Sequence, residues 1–193
     1  MKVILSSLFL TVSWVISAQP KMFDGVVVNH RQEVILAKVA VETAFDAVIF
    51  RLNSDTAICS ILPAHRVNSF RYFDSVTNIN RQFISLRYHG VYRFFEIVIY
   101  GPVQVIRRIK RGVSPLEANE GHDYDFFCWF GNELTQMKNF KSTVFPLLVQ
   151  LYGKELEDFI SQNKLRLHDQ VSVFSIVKKC NELSRRQHLV ATR

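Results

Sequence analysis

A histidine beside two aspartates is the arrangement in this sequence that comes nearest to a chemical site. His122, Asp123 and Asp125 stand together in the segment GHDYDFFCWF. On a strand, the two aspartates would share one face, where paired carboxylates can bind a hard cation or share a proton. These three residues are therefore a candidate metal or acid/base site. The structural alternative, which we favour, is the polar end of a loop that enters a strand, with both acids in water.

Four other charged residues are candidates for binding a ligand. Arg71 and Asp74 stand in the segment FRYFDSVTNINRQF, and Arg107 and Arg108 stand in QVIRRIKRG. The first segment has the composition of a polar binding loop. Aspartate and asparagine also favour turns on backbone grounds, and an arginine can pair with the aspartate to close such a turn. We therefore favour a turn as the interpretation of the first segment.

The basic run that contains Arg107 and Arg108 raises the question of an anion site. With the two-residue period of a strand, these arginines lie on opposite faces. A dedicated anion site would concentrate its charge on one face. Because the run continues through Lys110 into a polar loop, we predict that it is the solvated end of a strand.

Familiar catalytic motifs are missing from the sequence. The remaining histidines match no HExxH pattern, no serine occupies a GxSxG motif, and the glycines form no phosphate-binding loop. Serine-type hydrolysis, nucleotide-dependent reactions and zinc chemistry of the familiar types therefore lack support. We expect no cofactor, and we favour a protein that is not an enzyme.

Residues 1–19 have the layout of a secretory signal peptide. Lys2 precedes an apolar run from Val3 to Ile16, and small residues follow at Ser17 and Ala18. The alternative, a membrane anchor, needs about 20 apolar residues to cross the hydrocarbon core. We therefore predict an exported protein of the periplasm, the cell envelope or the outside of the cell, without a transmembrane span after the signal is removed.

The composition limits the class of protein and its partners. A hydrophobic content of 48% excludes a disordered chain, and the formal net charge is +7. In a cytosolic protein such a charge would indicate nucleic acid binding, but export removes nucleic acid as a partner. The expected partner is an acidic envelope polymer, a lipid or another envelope protein.

The cysteines are Cys59, Cys128 and Cys180, and an odd number excludes a framework in which every cysteine is paired within the chain. We favour buried free thiols that pack as small apolar side chains. One disulfide and one free thiol is the alternative.

The clearest secondary-structure signal is a hairpin around His89–Gly90. Two alternating runs flank this pair, and glycine at the second position suits a two-residue turn because it accepts a positive φ. In the register that this turn predicts, Ile84 opposes Phe95 and Arg87 opposes Tyr92.

The hydrophobic period is that of strands from residue 25 to about residue 141 and that of helices from about residue 142. One apolar stripe ends at Gly153, a second ends near Asn163, and Asp169 is suited to cap the last helix. We expect residues 185–193 to be a frayed basic tail. The first and last stripes are Val144, Leu147, Leu148, Leu151 and Tyr152, and Val173, Ile176, Val177, Cys180 and Leu183.

These patterns together predict an α+β fold in a single domain over residues 20–193. An antiparallel β-rich body, arranged as a meander, a barrel or a sandwich, precedes a C-terminal pack of about three helices.

The segments SILPAHRVNSFRYFD, NRQFISL, FFEIVIYGPVQVIRR and DFISQNKLRLHD, in this order, carry a resemblance to a family. The chain resembles a family of small exported proteins of Bacteroidota-type bacteria over about Asp24 to Asn181. The resemblance implies an exported, envelope-associated protein, and it assigns no catalytic residue.

The leading functional hypothesis is a non-enzymatic envelope protein that binds an envelope component or a protein partner. Aromatic strands that could close around a cavity favour an alternative, a carrier of a lipid or another apolar ligand. A hydrolase with an unfamiliar site is a weaker alternative.

Overall fold

The structure of this protein is a computed structural model that describes residues 21–42, 46–52, 58–110, 113, 118 and 122–191. The predicted signal peptide at residues 1–19 lies outside the described residues. Most of the polar loop predicted between Lys110 and His122 lies outside them as well.

Ten strands form the first part of the described chain, rich in the β-branched and aromatic residues that fit a pleated surface. They are β1 (Phe23–Asn29), β2 (Val34–Glu42), β3 (Ala47–Leu52), β4 (Cys59–Pro63), β5 (Val67–Asp74), β6 (Ile79–Tyr88), β7 (Val91–Ile99), β8 (Gln104–Ile109), β9 (Tyr124–Phe130) and β10 (Glu133–Gln136).

The strands belong to one antiparallel sheet with the order β10-β9-β8-β7-β6-β5-β1-β2-β3-β4. Each half of this order is a simple meander. The halves meet because β1 pairs with both β2 and β5. A short 3-10 helix at Ala64–Arg66 connects β4 to β5 and so returns the chain from one edge of the sheet to its middle.

The predicted hairpin is confirmed, including its register. Ile84 pairs with Phe95, and Arg87 pairs with Tyr92. The turn residues His89 and Gly90 have φ angles of 49° and 81°. Positive φ at both central positions is what the preferred two-residue hairpin turn requires.

Helices form the last part of the chain, which confirms the predicted C-terminal pack and the α+β class. A 3-10 turn (Met137–Asn139) leads into α1 (Phe140–Thr143), α2 (Phe145–Gln162) and α3 (Gln170–Ala191).

The predicted helix boundaries at Gly153, Asn163 and Asp169 are confirmed. Gly153 interrupts α2 with a φ of 54° and a ψ of −139°, and Asn163 is the C-cap of α2. The carboxylate of Asp169 accepts a hydrogen bond from the Ser172 backbone N–H at 2.9 Å, which caps α3.

Two details of the helix prediction are wrong. Helix α3 continues through Ala191, so the tail expected to fray from Arg185 is helical to that point. No glycine or proline interrupts this stretch, and helix-favouring residues extend it. In α2, Leu147 and Leu151 are 44% and 54% exposed, because the helix contacts the core through a narrower row of side chains.

The sheet curls strongly. The turn before β3 contacts β7, where Asp46 pairs with Arg93. Five strand spacings separate β3 from β7, which would be about 24 Å in a flat sheet. The curl encloses a first core inside the strands, while a second core lies between β7–β9 and the helices. The first contains Val27, Val39, Val48, Phe70 and Phe94, and the second contains Val105, Cys128, Phe140, Leu148, Leu156 and Ile176.

Asn181 fastens α3 to the turn between β7 and β8. Its side-chain oxygen accepts a hydrogen bond from the Val103 backbone N–H at 3.0 Å, and its side-chain nitrogen donates to the Val103 carbonyl at 2.8 Å. A Cβ atom on Gly101 would lie 2.4 Å from the Asn181 side chain, so glycine is required for this close approach. These contacts fix the position of α3 relative to the β7–β8 turn of the sheet.

Replacing Asn181 with alanine should lower the free energy of unfolding by about 2–4 kcal/mol, because it leaves two buried backbone groups of Val103 without partners. Urea denaturation of the purified protein measures this change. Asn139→Ala is the matched control, since the exposed Asn139 side chain makes no capping hydrogen bond. Equal denaturation midpoints for the two variants would contradict the assigned role.

Candidate functional site

Four charged side chains on β5 to β8 form a buried chain of ion pairs. Arg81 Nε donates to Asp74 at 3.2 Å, and Arg81 Nη1 donates to Glu96 at 2.9 Å. Arg107 Nε donates to the second oxygen of Glu96 at 2.7 Å. Two arginines and two carboxylates therefore alternate along this chain of ion pairs, which lies on the face of the sheet that carries both cores.

The contacts around this chain of ion pairs hold it in place. Asp74 also accepts the backbone N–H groups of Val76 and Thr77, so it closes the predicted β5–β6 turn. Burial acts to raise the pKa of Asp74, but hydrogen bonds from Thr77, Val76 and Arg81 outweigh it and hold the pKa below its usual value. Burial raises the pKa of the neighbouring Tyr72 to about 12, so this hydroxyl stays protonated at neutral pH.

A third buried carboxylate, Asp46, joins the turn before β3 to β7 and β8. It accepts hydrogen bonds from Arg93 at 2.6 Å, from the Phe94 backbone N–H at 3.2 Å and from Arg108 at 3.1 Å. The pairing of β7 with β8 ends at Glu96 opposite Arg107, which leaves the Phe94 N–H to the carboxylate. Two arginines thus share one acid at this position.

The prediction of a solvated strand end at Arg107 and Arg108 is wrong. The two arginines do lie on opposite faces, but Arg107 is 7% exposed and Arg108 is half-buried. Each guanidinium has an acid partner from another strand or turn, Glu96 or Asp46. Burial lowers the pKa of Arg108, and the neighbouring Asp46 opposes this shift.

The four candidate ligand-binding residues therefore do not form one site. Asp74, Arg107 and Arg108 use their polar atoms in internal ion pairs. Arg71 is exposed on β5, where it opposes Val26 and Gln82 of the adjoining strands. The structure therefore places Asp74 and Arg107 in one chain of ion pairs, but Arg108 and Arg71 lie apart from it and from each other.

The residues of the candidate metal site lie around the start of β9. His122 is exposed, and its carbonyl accepts a hydrogen bond from the Lys110 side chain. Asp123 precedes the strand, and Asp125 is exposed and opposes Arg108. Among the described residues, no group of three His, Cys, Asp or Glu side chains is arranged to hold a metal ion.

Three free cysteines lie in the described chain, as expected, but only two are buried. Cys59 is exposed on the edge strand β4, whereas Cys128 and Cys180 belong to the core under the helices. Burial raises the pKa of both core thiols to about 12, so they behave as apolar packing groups.

The sequence contains two His–Arg pairs, His30–Arg31 and His65–Arg66, and the fold brings them together. The first pair is in the β1–β2 turn and the second is in the 3-10 helix after β4. They line a cleft of about 500 Å³, with Leu62 as an apolar wall. A second cleft of about 350 Å³ shares His65 and is lined by Asp46, Pro63, Ala64, Gly90, Val91, Tyr92 and Arg93. We call the two adjoining clefts the His65 groove.

Backbone contacts fix the walls of the His65 groove. The Asn29 side chain accepts hydrogen bonds from the N–H groups of Arg31 at 2.8 Å and Glu33 at 3.0 Å, which shapes the β1–β2 turn. The His30 N–H donates to the Arg66 carbonyl at 3.3 Å, so the two His–Arg pairs are joined through the backbone. On the other side, Ser85 Oγ donates to the Ala64 carbonyl at 2.7 Å.

The first cleft of the His65 groove is lined by two arginines and one acid, Glu33, so positive charge exceeds negative charge there. Arg31 and Arg66 are exposed, and no carboxylate of the described chain lies within ion-pair distance of either guanidinium. Glu33, the acid in the same cleft, accepts a hydrogen bond from the Asn29 side chain. This site was not among those predicted from the sequence. The one signal of the site in the sequence is the His–Arg pair, which occurs twice, each time next to a turn.

Comparisons with known proteins add no relative: no family model, no curated protein and no solved structure matches the chain. Within the described part of the chain, no helix is both long enough and apolar enough to span a membrane.

Replacing Glu96 with glutamine should lower the free energy of unfolding by about 3–5 kcal/mol, because Arg81 and Arg107 would each lose the charged acceptor between them. Chemical denaturation monitored by tryptophan fluorescence measures this change. The matched control is Asp24→Asn, which removes the exposed pair with Lys38 and should alter stability little. The buried chain of ion pairs is not stabilising if the Glu96 variant unfolds at the same denaturant concentration as the control.

Proposed function

We propose that this protein is an exported, non-enzymatic binding protein of the cell envelope that holds an anionic ligand in the His65 groove. The observation that carries the proposal is the convergence of two His–Arg pairs in a cleft where Arg31 and Arg66 have no acid partner within the described chain. A guanidinium presents a planar fork of donors that matches a carboxylate or a phosphate.

The distribution of ion pairs supports this location. Arg81, Arg93, Arg107 and Arg108 all pair with buried acids, so their charge is used inside the fold. Those arginines stabilise the sheet, whereas Arg31 and Arg66 of the groove remain available to bind an external anion. A cleft of about 500 Å³ also has the size of known small-ligand sites, which occupy about 300–1,000 Å³.

Export is the second part of the proposal, and the layout of residues 1–19 supports it. N-terminal sequencing of the protein isolated from its host should find the mature chain beginning after Ala18. If the cell-associated protein still carries its intact N-terminus, the proposed envelope location is wrong, but the proposed anion site stands.

The two alternatives, a lipid carrier and a hydrolase, stay predictions. No specific contact among the described residues favours either of them over anion binding. The elements around the His65 groove are turns held by backbone hydrogen bonds, which suits a preformed binding site.

The double variant Arg31→Gln, Arg66→Gln should weaken anion binding by about tenfold or more, since a hydrogen bond to a charged group contributes about 1.5–3 kcal/mol. Calorimetric titration with polygalacturonate, poly-L-glutamate, inorganic phosphate and phosphatidylglycerol vesicles measures the affinity for each class of anion.

The control for this experiment is the double variant Arg166→Gln, Arg185→Gln. Both residues are exposed in the helical part of the chain, so the control removes the same net charge away from the groove. Equal losses of binding in the two double variants would mean that only net charge matters, and the groove would then not be the site.

A further inference from the structure

Two histidines line the same cleft as the two arginines that we propose to bind an anion. His30 precedes Arg31 in the β1–β2 turn, and His65 precedes Arg66 in the 3-10 helix after β4. The His30 N–H donates to the Arg66 carbonyl at 3.3 Å, which joins the two segments. Both histidines are exposed, so water reaches their rings. An anion in this cleft therefore meets two imidazoles as well as two guanidiniums.

The two imidazoles have no acid partner among the described residues. No carboxylate of the described chain lies within ion-pair distance of either ring. The ring of His30 contacts the ring of Tyr92 edge-on, with centroids 5.9 Å apart. This contact does not require a neutral histidine, because aromatic rings also attract cations. No internal ion pair of the described chain therefore holds either histidine in its charged form.

The charged groups around the two histidines oppose a further positive charge. The two acids of the groove already have partners: Glu33 accepts a hydrogen bond from Asn29, and Asp46 pairs with two arginines. Without a ligand, a proton on either imidazole would add charge to a cleft in which positive charge is in excess. The titratable and charged groups that line the groove, besides the two histidines, are Arg31, Glu33, Arg66, Asp46, Tyr92 and Arg93.

A bound anion reverses this effect. Negative charge beside an imidazole favours its protonated form, and a protonated imidazole donates through both ring nitrogens. The coupling is reciprocal, so protonation strengthens anion binding by the factor by which the anion strengthens protonation. Histidine ordinarily changes its charge between about pH 8 and about pH 5. The affinity for an anion should therefore increase as the pH falls through this range and decrease again as it rises.

We propose that His30 and His65 regulate the anion site of the His65 groove, so that the site binds its ligand more tightly at acidic pH than at neutral pH. This inference rests on the proposed function and states how the same site is regulated.

The test is calorimetric titration with sulfate and with polygalacturonate at about pH 8 and about pH 5. Both probes stay ionised over this range, so a change in affinity comes from the protein. The unmodified protein should bind about tenfold more tightly at the lower pH, because two charged donors join the two guanidiniums. The double variant His30→Gln, His65→Gln should gain less than about twofold, since glutamine stays neutral. The quantity compared is the ratio of the two affinities within each variant, so a loss of binding that is equal at both pH values does not count.

The matched control is the double variant His122→Gln, His168→Gln. Both of these histidines are exposed, and neither lines the groove. The control should keep the full gain in affinity at the lower pH. If the two double variants lose the gain equally, the net charge of the protein causes the pH response, and the inference fails.

The outcomes separate this inference from the proposed function. If the affinity of the unmodified protein does not change with pH, or if His30→Gln, His65→Gln keeps the full gain, the regulation fails. The anion site still stands in that case if Arg31→Gln, Arg66→Gln weakens binding. If the arginine double variant binds both probes as the unmodified protein does, both proposals fail.

Discussion

The buried chain of ion pairs from Asp74 through Arg81 and Glu96 to Arg107 is the constraint on which the rest of the structure depends. It lies between the core inside the curled strands and the core under the helices, and Arg107 also stacks on Tyr124 at 4.1 Å. Buried charges are costly to desolvate, so each must meet a partner of opposite sign in good geometry. The chain therefore specifies how β5 to β8 lie against one another.

The same requirement explains which charged side chains remain available to bind a ligand. The buried Asp46 pairs with both Arg93 and Arg108, and this contact holds the turn before β3 against β7. The turns next to these strands are in water, where a guanidinium needs no internal partner. Arg31 and Arg66 stand in such positions, so the site that we propose for anions lies at the edge of the buried network.

Much of the secondary structure is predictable from the sequence because its causes are local. The positive φ of His89 and Gly90 sets the β6–β7 register, Gly153 interrupts α2, and Asp169 caps α3. The short β10 and the 3-10 helix at Ala64–Arg66 were not predicted, since segments of three or four residues carry little periodicity. The apolar period also predicted that Leu147 and Leu151 are buried. They are exposed because the face of α2 that contacts the core is narrower than the apolar stripe in its sequence.

By itself, the sequence determined the α+β class, the strand-to-helix transition near residue 140 and the opposite faces of Arg107 and Arg108, because period and turn chemistry act between near neighbours. Only the tertiary structure decided which charges are buried and which remain exposed. Asp46 and Arg108 are 62 positions apart in the chain, and the curl of the sheet brings them to 3.1 Å. The two His–Arg pairs likewise form one cleft only because the return of the chain after β4 places Arg66 beside the β1–β2 turn.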